Sequence, residues 1–233
     1  MQMRSQDNIP EPNMPKNSNH NLFLDRVDAA SQLYEAIPAD FFQNREILCI
    51  ALSEGAVVIA DLLAKKMGSD MDILLSEPIM APNNPELPIA MVSETQEIVI
   101  HKALTDAFGI DEEFIYKEAK RIYDEKILAH LYRYRKGGAL KPVEGRAVIL
   151  VDECVETDFT AILAIKSMIG LEAKNIYVAT PILESSSYKS LIQISDGVFA
   201  PHRIRDYISI EYYYETLEQP EFSEIERILK HYE

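Results

Sequence analysis

Five consecutive apolar residues, Ala147-Val148-Ile149-Leu150-Val151, run into two carboxylates, Asp152 and Glu153, and then through a short threonine-containing loop into an apolar helix start near Thr160. A short continuous apolar run of this kind reads as a strand buried within a sheet. A helix beginning so soon after it reads as the crossover of a parallel strand pair. The same grammar recurs upstream. Glu46 to Leu52 reads as a strand, Ser53-Glu54-Gly55 as a turn, Ala56 to Met67 as a helix with Gly68 as its stop, and Met71 to Leu75 as a second strand.

Downstream, the pattern predicts a helix from about Thr160 to Met168 stopped by Gly170, a strand at Asn175 to Thr180, a helix at Tyr188 to Ile194 and a strand at Gly197 to Ala200. Before the first strand, Val27, Ala30, Leu33, Tyr34 and Ile37 share one helical face, which Pro38 ends. Ala81 to Pro88 is rich in turn residues, and Ile98-Val99-Ile100 reads as a short strand leading into an excursion. Residues 111–135 are charged and carry apolar residues at helical intervals, and Gly137-Gly138 closes them. Strands alternating with helices imply an open α/β sheet: about five parallel strands, flanking helices, and a helical cover over about 103–136. The ligand site of such a sheet lies beyond the strand C-termini.

The chain has 233 residues, enough for one sizeable core over 22–233. Residues 1–21, with Pro10, Pro12 and Pro15 among polar residues, read as a disordered tail. The formal net charge of -15 argues against nucleic acid or an anionic membrane as partner, because both would be repelled. Cys49 and Cys154 lack paired spacing, and the N-terminus lacks a secretory layout, so a soluble protein of the reducing cytoplasm is expected. No apolar stretch approaches the roughly 20 residues needed to cross a bilayer.

The run from 147 to 160 resembles the phosphoribosyl-pyrophosphate signature of type I phosphoribosyltransferases, whose usual form is an apolar strand, D-D/E, three residues and T-G-x-T. Three further segments are similar to the stand-alone bacterial branch of that family. Phe23-Leu24-Asp25-Arg26-Val27-Asp28-Ala29-Ala30 resembles its F-x-D-R-x-x-A-G, and Ala81-Pro82-Asn83-Asn84-Pro85-Glu86-Leu87-Pro88-Ile89-Ala90 its A-P-x-N-P-E-L-A-I-G. Tyr212-Tyr213-Tyr214 stands where the branch has an aromatic pair. The resemblance covers about 22–233 and implies a type I phosphoribosyltransferase-like fold, an acidic pair on ribose with Mg²⁺, and a loop for the 5'-phosphate. Such proteins are often dimers, so a homodimer is a mild expectation.

The resemblance implies roles residue by residue. Asp152 and Glu153 would face the ribose and a Mg²⁺ ion, with Thr157 and Thr160 on the 5'-phosphate. Ser53, Glu54 and Gly55 occupy the turn that in the family holds pyrophosphate, usually P-R-G-G. Glu54 therefore replaces an arginine, and Glu77 falls where the family carries a cationic R-K-L-G segment. Asp158 replaces the loop glycine, and the chain has only 8 glycines. Two unit charges at about 5 Å and an effective dielectric near 20 interact by roughly 3 kcal/mol, so each inversion changes affinity for a polyanion by ~6 kcal/mol before screening. The leading expectation is a donor site of inverted sign, with weak or lost phosphoribosyl transfer and a binding or regulatory role for a small phosphorylated or cationic ligand. The alternatives are an active Mg²⁺-dependent phosphoribosyltransferase, and a cation-dependent hydrolase with Glu156 or Asp158 as general base.

Asp158 is further expected to cap the helix that follows, accepting from the N–H of Thr160 or Ala161 in place of a phosphate. Cys154, among carboxylates, reads as inert. The histidines lack metal spacing. Tyr132-Arg133-Tyr134-Arg135-Lys136 reads either as a hood over a ligand or as an ordinary helix end, and Tyr212 to Tyr214 as packing.

Overall fold

The computed structural model describes residues 21–42 and 45–233, and all statements below concern these. The expected tail over 1–21 lies, except for Asn21, outside them.

In chain order the elements are α1 (Arg26–Glu35), β1 (Ile47–Ala51), α2 (Glu54–Met67), β2 (Asp70–Ile73), β3 (Ser76–Ala81), β4 (Asn84–Ser93) and β5 (Ile98–Ile100). There follow α3 (Lys102–Phe108), α4 (Glu112–Ile122), a π turn (Tyr123–Ile127), α5 (Leu128–Arg135), β6 (Ala147–Val151), α6 (Phe159–Gly170) and β7 (Asn175–Ala179). The chain continues through β8 (Ile182–Glu184), α7 (Ser185–Ile194), β9 (Gly197–Phe199), β10 (His202–Ile204) and α8 (Phe222–His231).

Five strands form the expected parallel sheet in the order β2-β1-β6-β7-β9. All five residues of β1 and of β6 are buried, as their unbroken apolar runs require. Alternate residues face opposite layers. Cys49, Ala51, Ile149 and Val151 pack with Ala56, Ala60 and Leu63 of α2, whereas Leu48, Ile50, Val148 and Leu150 pack with Ala161, Ala164 and Ile165 of α6. The chain leaves β1 toward β2 on one side and returns through β6 on the other. The strand order therefore reverses between β1 and β6, and such a switch point opens a crevice at the strand C-termini.

The excursion between β2 and β6 departs from the sequence reading. The turn-rich segment Ala81 to Pro88 holds a turn only at Pro82-Asn83, and around it β3 and β4, strands the sequence reading lacks, form an antiparallel hairpin. Prolines are tolerated there because β5 pairs only with Ala90, Met91 and Val92, leaving Asn84 to Pro88 as an edge with a register shift at Met80. The helical segment over 111–135 is interrupted by the π turn. Its inner face, Ile115, Ala119, Ile122, Ile127 and Tyr134, joins Ile79, Ile89 and Val92 of the hairpin in one apolar cluster.

α1 also differs from expectation. Val27 is 56% exposed, and the inward stripe is Arg26, Ala29, Ala30 and Leu33. The helix begins at Arg26 because Asp25 caps it, accepting from the N–H groups of Val27 and Asp28. That start turns an arginine, rather than Val27, toward the interior.

Candidate functional site: the crevice between β1 and β6

The crevice is built from the two chain segments that leave β1 and β6. Ser53 follows β1 and caps α2, its Oγ accepting from Ala56 N at 3.2 Å. The same hydroxyl donates to Asp152 Oδ1 at 3.0 Å across the crevice. Asp152 Oδ1 also accepts from Glu153 N at 2.9 Å. Burial pushes the Asp152 carboxyl up to about 7, and the charge of Glu153 adds to that rise, while the bonds from Ser53 and Glu153 N oppose it.

Glu153 turns toward the start of α2. A Cβ placed on Gly55 would lie 2.2 Å from Glu153 Oε2 and 2.5 Å from Oε1, so the carboxylate fills the space that any larger residue at 55 would need. Arg26 fixes it there, Nε donating to Oε2 at 2.8 Å, with side-chain exposures of 8% for Arg26 and 16% for Glu153. Arg26 Nη1 donates to the carbonyl of Glu218, and Nη2 is buried without an acceptor. Behind the pair, Tyr214 OH donates to the Glu153 carbonyl at 3.3 Å, and the Tyr214 ring packs on Phe23. Tyr213 and Tyr214 are buried in this cluster, in agreement with their reading as packing residues.

The structure does not direct Glu54 and Glu77 at the crevice floor. Glu54 accepts from the hydroxyl of buried Tyr134, on α5. Burial, together with that bond and the nearby charge of Glu54, holds the Tyr134 hydroxyl well above the usual phenol range. Glu77 accepts from Lys126 Nζ at 3.1 Å and faces His130 Nδ1 at 3.7 Å. Both carboxylates thus tie the hairpin and α2 to the helical cover. The two arginines of the basic cluster at the end of α5 are committed as well. Arg135 pairs with Glu94 and, at 3.5 Å, with Asp72, both largely buried, and Arg133 lies over the Phe222 ring at 4.1 Å. The two arginines thus serve packing and ion pairing at the helix end, while Tyr132 is 73% exposed.

The loop from 154 to 160 is anchored by Val155, whose N–H donates to Ile182 O and whose carbonyl accepts from Glu184 N. Thr157 is exposed, and Thr160 Oγ1 donates to Met91 Sδ at 3.5 Å. Asp158 departs from expectation: it stands at the cap position of α6 but its side chain makes no cap hydrogen bond. Its backbone already has helical angles, φ -76° and ψ 0°, whereas a capping side chain needs an extended backbone to fold back on the first turn. Its carbonyl accepts the first helical bond, from Ile162 N at 2.8 Å. The N–H groups of the first turn of α6 therefore keep no side-chain cap.

Cys154 suits its inert reading, since burial pushes the thiol up to about 12 and the surrounding carboxylates add to the rise. The donor set does not suit a resident divalent cation. Hard cations need several oxygens, but Glu153 is spent on a guanidinium and Asp152 Oδ1 on two donors. Among the described residues no group of three or more His, Cys, Asp or Glu gathers for a metal, and no helix is long and apolar enough to cross a membrane.

Arg26 is the site residue that sequence reasoning missed. Its signal was its phase: positions 26, 29, 30 and 33 lie on one helical face, and the arginine occupies the first of them.

No protein-family profile matches the chain. Two strains of Mycobacterium tuberculosis, CDC 1551 / Oshkosh and H37Rv, each carry a protein named "Putative phosphoribosyl transferase" that is 26% identical over 166 residues, 69% of this chain and 36% of the relative. The chain thus spans about a third of the length of the curated relatives it matches. Among solved structures, TT1426 from Thermus thermophilus is 26% identical and superimposes with a TM-score of 0.73, over 90% of this chain and 98% of that one. These similarities agree with the phosphoribosyltransferase resemblance carried by Phe23 to Ala30, Ala81 to Ala90 and the 147–160 run.

Proposed function

We propose that the crevice binds a small molecule through a phosphate monoester at the start of α6 and holds a pyrophosphoryl group poorly, so that phosphoribosyl transfer is weak or lost and the chain works as a binding or regulatory protein. One observation carries the reading: the Glu153 carboxylate, latched by Arg26, lies on Gly55 at the first turn of α2. In the family that the sequence resembles, this turn is where pyrophosphate is held. A polyanion arriving there meets the Glu153 carboxylate in the space over Gly55, and has to displace it from Arg26 to reach the turn.

The other half of the crevice supports the positive part of the proposal. The first turn of α6 follows Thr157 with no side chain capping it, and open helix N-termini favour phosphate oxygens. Asp152, held by Ser53 beside this loop, is the group we assign to a sugar hydroxyl, a reading its hydrogen bond to Ser53 supports by fixing the carboxyl in the crevice. The name of the mycobacterial relatives belongs to those longer proteins.

The test is turnover and binding on the same sample. Purified protein incubated with phosphoribosyl pyrophosphate, Mg²⁺ and each common nucleobase should release no pyrophosphate above background, while ribose 5-phosphate should raise the melting temperature by mass action. Steady pyrophosphate release with any base would favour the active Mg²⁺-dependent transferase instead.

A further inference from the structure

Arg26 brings into the crevice a cation that the turn after β1 lacks. In a planar guanidinium, Nε and Nη2 present parallel N–H bonds along one edge, which suits two oxygens of a carboxylate or phosphoryl group side by side. Glu153 uses only half of that edge, engaging Nε through Oε2 at 2.8 Å, and Nη2 is left buried with no acceptor. The opposite corner, Nη1, is spent on the Glu218 carbonyl. The Arg26 side chain is 8% exposed, so the unused N–H has little access to bulk water and faces the space that Glu153 occupies over Gly55.

We propose that Arg26 is an oxyanion-binding residue and that Glu153 is its built-in competitor: a phosphoryl or pyrophosphoryl group entering the crevice takes the Nε and Nη2 edge together with the start of α2, and the Glu153 carboxylate moves out. The inference rests on the reading of the crevice as a site for phosphorylated ligands. Two oxygens on the fork replace one, and the orphaned N–H gains its acceptor. The exchange is opposed because a tethered carboxylate acts at an effective concentration on the order of millimolar, which a free anion has to exceed. Glu153 therefore sets how tightly a second phosphoryl group is held, and Arg26 supplies the site on which the two anions compete.

Calorimetric titration with inorganic pyrophosphate, without divalent metal, tests this on wild type, Glu153→Gln and the double variant Glu153→Gln/Arg26→Lys. Glu153→Gln should bind at least about tenfold tighter than wild type, and the double variant should lose that gain because lysine keeps the charge but not the fork. Ribose 5-phosphate, titrated into wild type, reports separately on the α6 loop and should bind it. Unchanged pyrophosphate affinity in folded Glu153→Gln overturns the competitor role but leaves the wider reading standing if ribose 5-phosphate still binds. Failure of ribose 5-phosphate to bind wild type removes the wider reading instead. A second readout needs no variant at position 153: in the wild-type ¹⁵N spectrum, the Arg26 Nε resonance should shift as pyrophosphate is raised well above millimolar. A resonance that stays fixed overturns the exchange.

Discussion

The Ser53 hydroxyl stands 3.0 Å from Asp152 Oδ1 and 3.2 Å from Ala56 N, so one small side chain ties the end of β6 to the first turn of α2. It caps a helix and satisfies a carboxylate at once. Ser53→Ala removes both bonds, and urea denaturation should show a loss of about 1–2 kcal/mol. A loss too small to measure would mean that water replaces both without penalty.

The same carboxylate makes stability depend on pH. Burial pushes the Asp152 carboxyl up to about 7 from a usual value near 3.8, so the folded state binds the proton more tightly than the unfolded state. Its contribution is fully present below about pH 4 and is lost as pH rises through about 7, with a full amplitude on the order of 4 kcal/mol. Asp152→Asn should flatten this decline between pH 4 and 7, read as denaturation midpoints across pH. Parallel profiles for the two proteins would show that Asp152 does not titrate as described.

Much of this was legible from residue order, and the reason is local. β1, α2, β6 and α6 follow from apolar runs and glycine or serine punctuation within a few residues of each element. The prolines of β4 concealed a strand, because an edge tolerates what a central strand does not. The acidic residues were identified but not their partners: Glu54 meets Tyr134 across 80 residues of chain, and Glu77 meets Lys126 across 49. Charge counting treated both as bare, and only the folded cover shows them paired. Arg26 escaped for a related reason, since its value lies in Glu153, 127 residues away.

Gly55 and Glu153 form a pair that a double-mutant cycle can isolate. In wild type, Gly55→Ala drives a methyl into the Glu153 carboxylate, dislodging it from Arg26, and should cost about 1–3 kcal/mol. In the Glu153→Ala background the methyl meets no carboxylate, so the same change should cost under ~0.5 kcal/mol. Equal costs in both backgrounds would place Glu153 elsewhere.

Arg135 is the cation between two largely buried carboxylates, Asp72 and Glu94. Arg135→Ala strands both, with an expected loss of about 3–5 kcal/mol near neutral pH. Burial already raises the Glu94 carboxyl, so protonation should relieve part of that loss at pH 5, seen as a smaller gap between variant and wild-type midpoints. A gap independent of pH would argue for lost packing alone.

Asp158 caps nothing, so its removal should leave the fold intact. Asp158→Ala is expected to change stability by less than ~0.5 kcal/mol, and it should strengthen ribose 5-phosphate binding severalfold by removing a negative charge beside the α6 loop. A loss of more than ~1 kcal/mol would restore the capping role.

The central claim is that the α6 loop accepts a phosphate while Glu153, on Arg26, denies the second anionic group its place. Its most direct test is the ratio of two dissociation constants, for ribose 5-phosphate and for phosphoribosyl pyrophosphate with Mg²⁺, measured on wild type by calorimetry. A ratio within about threefold is expected, because the pyrophosphate gains Arg26 only by displacing the tethered Glu153 carboxylate, which offsets its added attraction. Binding of phosphoribosyl pyrophosphate a hundredfold tighter than ribose 5-phosphate would contradict the account.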